Sequence, residues 1–219
     1  MASRKWLLPL LLSLPLAAVV LFLGGCLPVG AGDPEKSKVD DKLAGTWIEV
    51  RDDGTDGDAV VLLPFDGRAY VLRSVKIDRT GDKEVIESEG LYKAWLTTIG
   101  DTTFLTAQPL YPREALAGAK VPGLFVAAVK VAEDGANVEA KGVDPGYEAL
   151  APLRALPGHM SYEPRAEGAK APTEDEAKAL LQRVLAERGN DPKLYSLTVT
   201  YRRVKDPGLM KLLFESVIG

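Results

Sequence analysis

From Leu43 onward the chain alternates apolar with polar positions in short stretches separated by Gly- and Asp-containing turns. Alternation with period two marks strands that have one dry face and one wet face. The pattern predicts strands over 45–51, 58–64, 68–78, 84–98, 102–108, 123–132, 137–143 and 195–204. In the fourth, Ile86, Tyr92, Ala94 and Leu96 share a face, and Glu87, Glu89 and Lys93 take the other. Phe125, Ala127, Val129 and Val131 line one face of the sixth. In the seventh, Val138 and Ala140 oppose Asn137, Glu139 and Lys141, and the last buries Leu197, Val199 and Tyr201. The turns Asp52-Asp53-Gly54, Asp66-Gly67, Thr80-Gly81-Asp82, Gly100-Asp101 and Asp134-Gly135 hold residues that tolerate the positive φ of tight hairpins. Successive hairpins make an antiparallel meander.

The period changes near the C-terminus. Thr173 with Glu176 forms a capping box, and Ala177, Leu180, Leu181, Val184 and Leu185 form the apolar stripe of a helix over 173–188. Gly189-Asn190 and Pro192 end it. The tail Leu209–Val217 has the spacing of a short amphipathic helix, and the Pro- and Gly-rich segment 144–172 interrupts the meander. Eight strands and one helix predict a mainly β fold, a small antiparallel up-and-down barrel with one packed helix. Closure removes the edges that an open meander would expose.

The first 25 residues have a different character. Arg4 and Lys5 precede an apolar run from Trp6 to Leu23, and Gly24-Gly25 leads to Cys26, the only cysteine. These are the three parts of an export signal. Leu23-Gly24-Gly25-Cys26 resembles the bacterial lipobox, which implies cleavage before Cys26 and a diacylglycerol on its thiol. An uncleaved anchor helix is the competing reading, since a span needs roughly 20 apolar residues. Pro9 and Pro15 weigh against it, because proline inside a helix costs about 3 kcal/mol. The segment 27–42, rich in Pro, Gly and charge, reads as a flexible linker. The chain then divides into a signal peptide (1–25), an acylated cysteine with its linker (26–42) and one barrel domain (43–219). In the sorting rule that the resemblance implies, Leu27 in place of aspartate after the cysteine favours the outer membrane. The expected location is the cell envelope, with the membrane held through the N-terminal lipid.

Charge narrows the partners. Without Arg4 and Lys5, 25 basic side chains remain against 31 acidic ones, a net charge of −6. An acidic chain with no basic cluster has no electrostatic footprint for nucleic acid, and it would not cling to anionic lipid. A single cysteine makes no intramolecular disulfide, so the core alone must hold the domain together.

Leu43-Ala44-Gly45-Thr46-Trp47 resembles the Gly-x-Trp signature at the first strand of lipocalins and related calycin barrels. The resemblance implies that the tryptophan plugs the barrel floor. It also implies an arginine from a late strand over the indole, here Arg202 or Arg203. The second lipocalin signature, around Thr-Asp-Tyr, is absent.

Chemistry-bearing patterns are few. His159 is the only histidine, in the Gly/Pro loop Pro157-Gly158-His159-Met160, and no Gly-x-Ser-x-Gly elbow accompanies it. The acidic run Asp52–Asp58 lacks the bidentate acid that an EF-hand needs at its twelfth position, which is Leu63. One cysteine and one histidine make a poor zinc set, and no phosphate-cradling glycine loop appears. The expectation is a non-enzymatic barrel without metal or cofactor that binds a small apolar or amphipathic molecule. Trp47, Val71, Tyr92, Leu96, Phe125, Val129 and Tyr201 are the candidate wall and floor residues. A filled core is the competing reading of the same residues. The functional alternatives are an envelope assembly component contacting proteins through 109–122 and 144–172, a carrier of lipids or lipoproteins, and a hydrolase using His159.

Overall fold

A computed structural model describes residues 26–79, 85–110, 123–156 and 171–205. Eight strands run β1 (Gly45–Val50), β2 (Asp56–Pro64), β3 (Tyr70–Asp78), β4 (Val85–Ile99), β5 (Thr102–Pro109), β6 (Phe125–Val131), β7 (Asn137–Val143) and β8 (Tyr195–Arg203). Each pairs antiparallel with its neighbour in sequence, and β8 pairs with β1 to close the barrel. The strands lie within a few residues of those that alternation predicts. Hairpin glycines such as Gly67 and Gly135 take the positive φ that the turns require. His159 and the tail Leu209–Val217 lie outside the described residues.

Closure rests on one register. β1 and β8 align Trp47 with Arg203, so both side chains share the inner face. The Arg203 guanidinium carbon sits 4.2 Å from the centroid of the Trp47 ring. Its Nη1 donates to Ala44 O (2.9 Å), its Nη2 to Lys42 O (2.5 Å) and its Nε to Gly135 O (2.9 Å). One planar fork thereby ties the lead-in to β1, the β6–β7 hairpin and the end of β8. Trp47 is 2% exposed, and its Nε1 donates to Leu43 O (2.9 Å). Gly45 is required here on two counts. Its φ of +138° lies outside the range of L side chains, and a Cβ would meet Arg203 Nη1 at 2.5 Å. Of the two candidate arginines, Arg203 covers the indole. Arg202, one residue away and therefore on the opposite face, pairs outside with Asp56 (2.7 Å).

The helix α1 (Glu174–Arg188) has the capping box between Thr173 and Glu176. It lays Ala177, Leu181, Val184 and Leu185 on the outside of the barrel, against Phe104, Val126, Ala128 and Val143. Leu150 and Leu153, from the 3-10 turn Glu148–Ala155, complete this outer core.

The expected linker is not a linker. Leu27, Val29 and Ala31 are buried in the same outer core beneath α1, and Leu27 is 1% exposed. Leu27 and Leu124 exchange backbone hydrogen bonds (2.8 and 2.7 Å) at the start of β6. Ala31 O accepts from Trp95 Nε1 (2.9 Å) and Thr97 Oγ1 (3.1 Å), and Ala31 N donates to Thr106 Oγ1 (3.1 Å). The cause is the length of β4. Its pairing with β3 stops at Ala94, so Trp95–Ile99 has an edge without a strand partner. The N-terminal segment covers that edge, and Ser37 Oγ accepts from Leu96 N (3.0 Å). The chain then crosses the Trp47 end as a strap. Val39 N donates to Gly67 O (3.0 Å), and Asp40 N donates to the Tyr70 hydroxyl (2.6 Å).

One face assignment also changes. The β3–β4 register shifts between Lys76 and Ile77, and one extra β4 residue inverts the alternation there. Ile86 therefore packs outside with Ala59, Val75 and Ile77, away from Tyr92 and Ala94.

Arg203→Ala is expected to cost about 3 kcal/mol in urea unfolding, through lost cation–π contact and unpaired carbonyls. Arg203→Lys recovers only part, because an ammonium lacks the planar fork. Leu27→Ala is expected to cost a similar amount, roughly 3 kcal/mol, whereas a free tether residue would cost nothing measurable.

Candidate functional site

Alternation sends one set of side chains inward, and the resulting lumen has two unlike walls. On the β1–β3 and β7–β8 side, Trp47, Val60, Leu62, Tyr70, Leu72, Val138, Ala140, Val199 and Tyr201 are buried. On the β4–β6 side, Ala94 and Ala107 are buried, whereas Tyr92, Leu96, Leu105, Phe125, Val129 and Val131 belong to the same cluster but are only half-buried. A side chain that points into a barrel and still meets solvent borders space inside it. Tyr92 and Phe125 meet edge to face at 5.9 Å between centroids.

A cleft of about 780 Å³ touches that wall at Leu96, Val129 and Val131 and extends over the outer face of β6, β7 and β8 at Ala128, Lys130, Glu139, Lys141 and Thr198. It is bordered by the strap, at Asp40, Lys42 and Leu43, by the turn joining β4 to β5 and by the segment after α1, at Gly189, Asn190 and Pro192. Leu43, Leu96, Val129 and Val131 form its apolar part, and Lys42, Asp101, Lys130 and Glu139 stand among its polar lining. Its volume falls within the range of small-molecule sites.

Of the seven sequence candidates, Trp47 is inward but packed in the dry wall, and Tyr92, Leu96, Phe125 and Val129 line the accessible wall. Tyr201 is inward but buried in the dry wall. Val71 is a correction. Its neighbours Tyr70 and Leu72 point inward, so Val71 is half-buried on the outer face, opposite Leu63 and Lys93. Leu43, Leu105 and Val131 were missed. The alternation Thr103-Leu105-Ala107 carried the signal for Leu105, whereas Leu43 precedes the first strand and had none.

The end of the lumen away from Trp47 is polar. Glu49 lies opposite Tyr201 across β1 and β8, and its Oε2 accepts from Asp58 N (3.2 Å). Asp58 Oδ1 accepts from Ile77 N (3.3 Å). Burial pushes the Asp58 carboxyl above the ordinary carboxylate range, although the Ile77 N–H and the charges of Arg51, Lys76 and Arg79 pull the other way. Burial, reinforced by Glu49 and Asp58, holds the Tyr201 phenol well above its usual value. At the opposite end, burial raises Tyr70 to about 12. The acidic hairpin at Asp52–Asp58 is held by its own turn, with Asp53 Oδ1 accepting from Thr55 N (2.9 Å) and Oγ1 (2.6 Å). Among the described residues no cluster of His, Cys, Asp and Glu is arranged to hold a metal ion. No described helix is long and apolar enough to cross a membrane.

No protein-family model, curated protein or solved structure matches the chain.

Asp58 sets a pH dependence. Its folded pKa is raised, so its stabilising contribution is complete below the unfolded value of about 4 and is lost as pH rises through the folded value. Asp58→Asn is therefore expected to raise the urea midpoint at pH 7, with variant and parent converging below about pH 4.

Proposed function

We propose that this protein is a lipid-anchored component of a bacterial cell envelope whose barrel, lipocalin-like in architecture, binds a small apolar or amphipathic molecule without altering it chemically. The observation that carries the binding reading is the half-buried inner wall from Tyr92 to Val131, continuous with the cleft beside Leu43. A lumen filled by its own side chains would leave those residues as dry as Val60 and Leu72 across from them. The stacking of Arg203 on Trp47 supports kinship with the Gly-x-Trp barrels, because it joins two residues 156 positions apart. The anchor reading rests on Leu23-Gly24-Gly25-Cys26 and favours the outer membrane through Leu27.

A second reading has its own observation. Phe65 is 71% exposed and Leu63 45% exposed at the tip of the β2–β3 hairpin. Two large exposed apolar side chains, one at the end of β2 and one on the turn that follows it, suit contact with another envelope protein.

The binding reading is tested with an environment-sensitive hydrophobic dye and with medium-chain fatty acids titrated against the purified domain. Val129→Trp fills the accessible wall and is expected to abolish saturable binding. Phe65→Ser, at the hairpin tip, is expected to leave it unchanged. If the parent protein shows no saturable binding and carries no co-purified lipid in native mass spectra, the ligand-binding reading fails. The anchor reading is tested by Cys26→Ser, which is expected to move the protein from the membrane fraction to the soluble one and to abolish palmitate labelling.

A further inference from the structure

We propose that the barrel rim bearing Val85, Leu91 and Leu110 lies against the bilayer that holds Cys26, so that the Trp47 end and its cleft face away from the membrane. The inference rests on acylation of Cys26, as proposed above, and adds an orientation to it. A flexible segment 27–42 would let the domain wander roughly 20 Å from its anchor and tumble freely. No such slack exists. Leu27, directly after the cysteine, is bonded in both directions to Leu124 at the start of β6. Leu27, Val29 and Ala31 then run into the core beneath α1. The acyl chains must therefore leave from the rim itself.

That rim is the one opposite Trp47. β6 begins there, β5 ends there at Pro109, and β4 begins there at Val85. It carries two exposed apolar side chains on the outer face of the anchored side, Leu110 at 49% and Leu91 at 37%, and Val85 at 57% stands at the far start of β4 on the other face. Leu110 N donates to Leu91 O (2.8 Å), so these two are direct neighbours. Among the described residues near them, Arg73 pairs with Glu89 and Lys76 with Glu87. The acidic β1–β2 hairpin shares this rim but belongs to strands across the barrel from β5. A tilt that brings Leu91 and Leu110 to the lipid surface lifts Asp52 and Asp53 away from it. The anchor, the apolar strip and the placement of charge all favour the same orientation.

The test uses full-length, acylated protein in phosphatidylcholine vesicles containing doxyl-labelled lipid. Acylation consumes the Cys26 thiol, so Leu110→Cys and Phe65→Cys each present one reactive cysteine for an NBD label. The two positions lie at opposite ends of the barrel, roughly 20 to 30 Å apart. The expected result is that the label at Leu110 loses most of its fluorescence to the quencher, while the label at Phe65 keeps its solution value. Equal quenching at both, stronger quenching at Phe65, or none at either in an acylated chain overturns the orientation. Mass spectrometry of the Cys26 peptide separates the two levels. An unmodified cysteine removes the anchor reading and this inference with it, whereas an acylated chain with the wrong quenching pattern removes only the inference.

Discussion

A barrel made of successive hairpins closes only if its first and last strands meet, and here that meeting depends on Arg203 over Trp47. Every other strand pair is built from neighbours in sequence, joined in most cases by short turns with little entropy to overcome. The β1–β8 seam joins positions separated by nearly the whole domain. It gains strength from a cation held on an aromatic face and hydrogen-bonded to three backbone carbonyls. The glycine at position 45 follows from this arrangement, since the guanidinium occupies the space that a side chain would need.

The other side of the barrel has an open edge of its own. Staggered strands leave β4 longer than its partner β3, and its last residues present unpaired backbone and the large indole of Trp95 to the outside. The segment from Leu27 to Ser37 satisfies both. It fills the groove under α1 with Leu27, Val29 and Ala31, and its polar backbone atoms take up Trp95 Nε1, Thr97 and Thr106. Sequence composition marked this stretch as a tether because it is rich in Pro, Gly and charge. Its glycines serve packing instead. A Cβ at Gly30 would stand 2.7 Å from Thr106 and Trp95. Glycine-rich composition signals close backbone approach as readily as freedom, and only the partner surface tells the two apart.

The lumen divides along the same line. The dry wall is the one that carries the seam, where volume is filled by Trp47, Tyr70 and Tyr201. The accessible wall faces it from β4, β5 and β6, whose inward residues include small alanines at positions 94, 107 and 127. Small side chains among larger ones leave room, and the strap crossing from Ser37 to Leu43 leaves the cleft beside it uncovered. The rigidity of the strands and the opening beside the strap arise from separate parts of the chain.

Local pattern by itself determined the strands, their order, the helix and its capping box, because alternation and capping are written within a few residues of one another. It also determined which positions of β6, β7 and β8 face inward. Tertiary structure decided whatever depends on register between distant segments. Arg203 rather than Arg202 reaches the indole, Val71 faces out, Ile86 changes face at a bulge, and residues 27–42 become part of the wall. In a pleated strand a shift of one residue exchanges inside for outside, and no local property of Val71 or Ile86 records that shift. The candidate site was legible only where a clean alternation ran through it, at Tyr92, Leu96, Phe125 and Val129. Leu43 joins it only because a loop folds back across the barrel end.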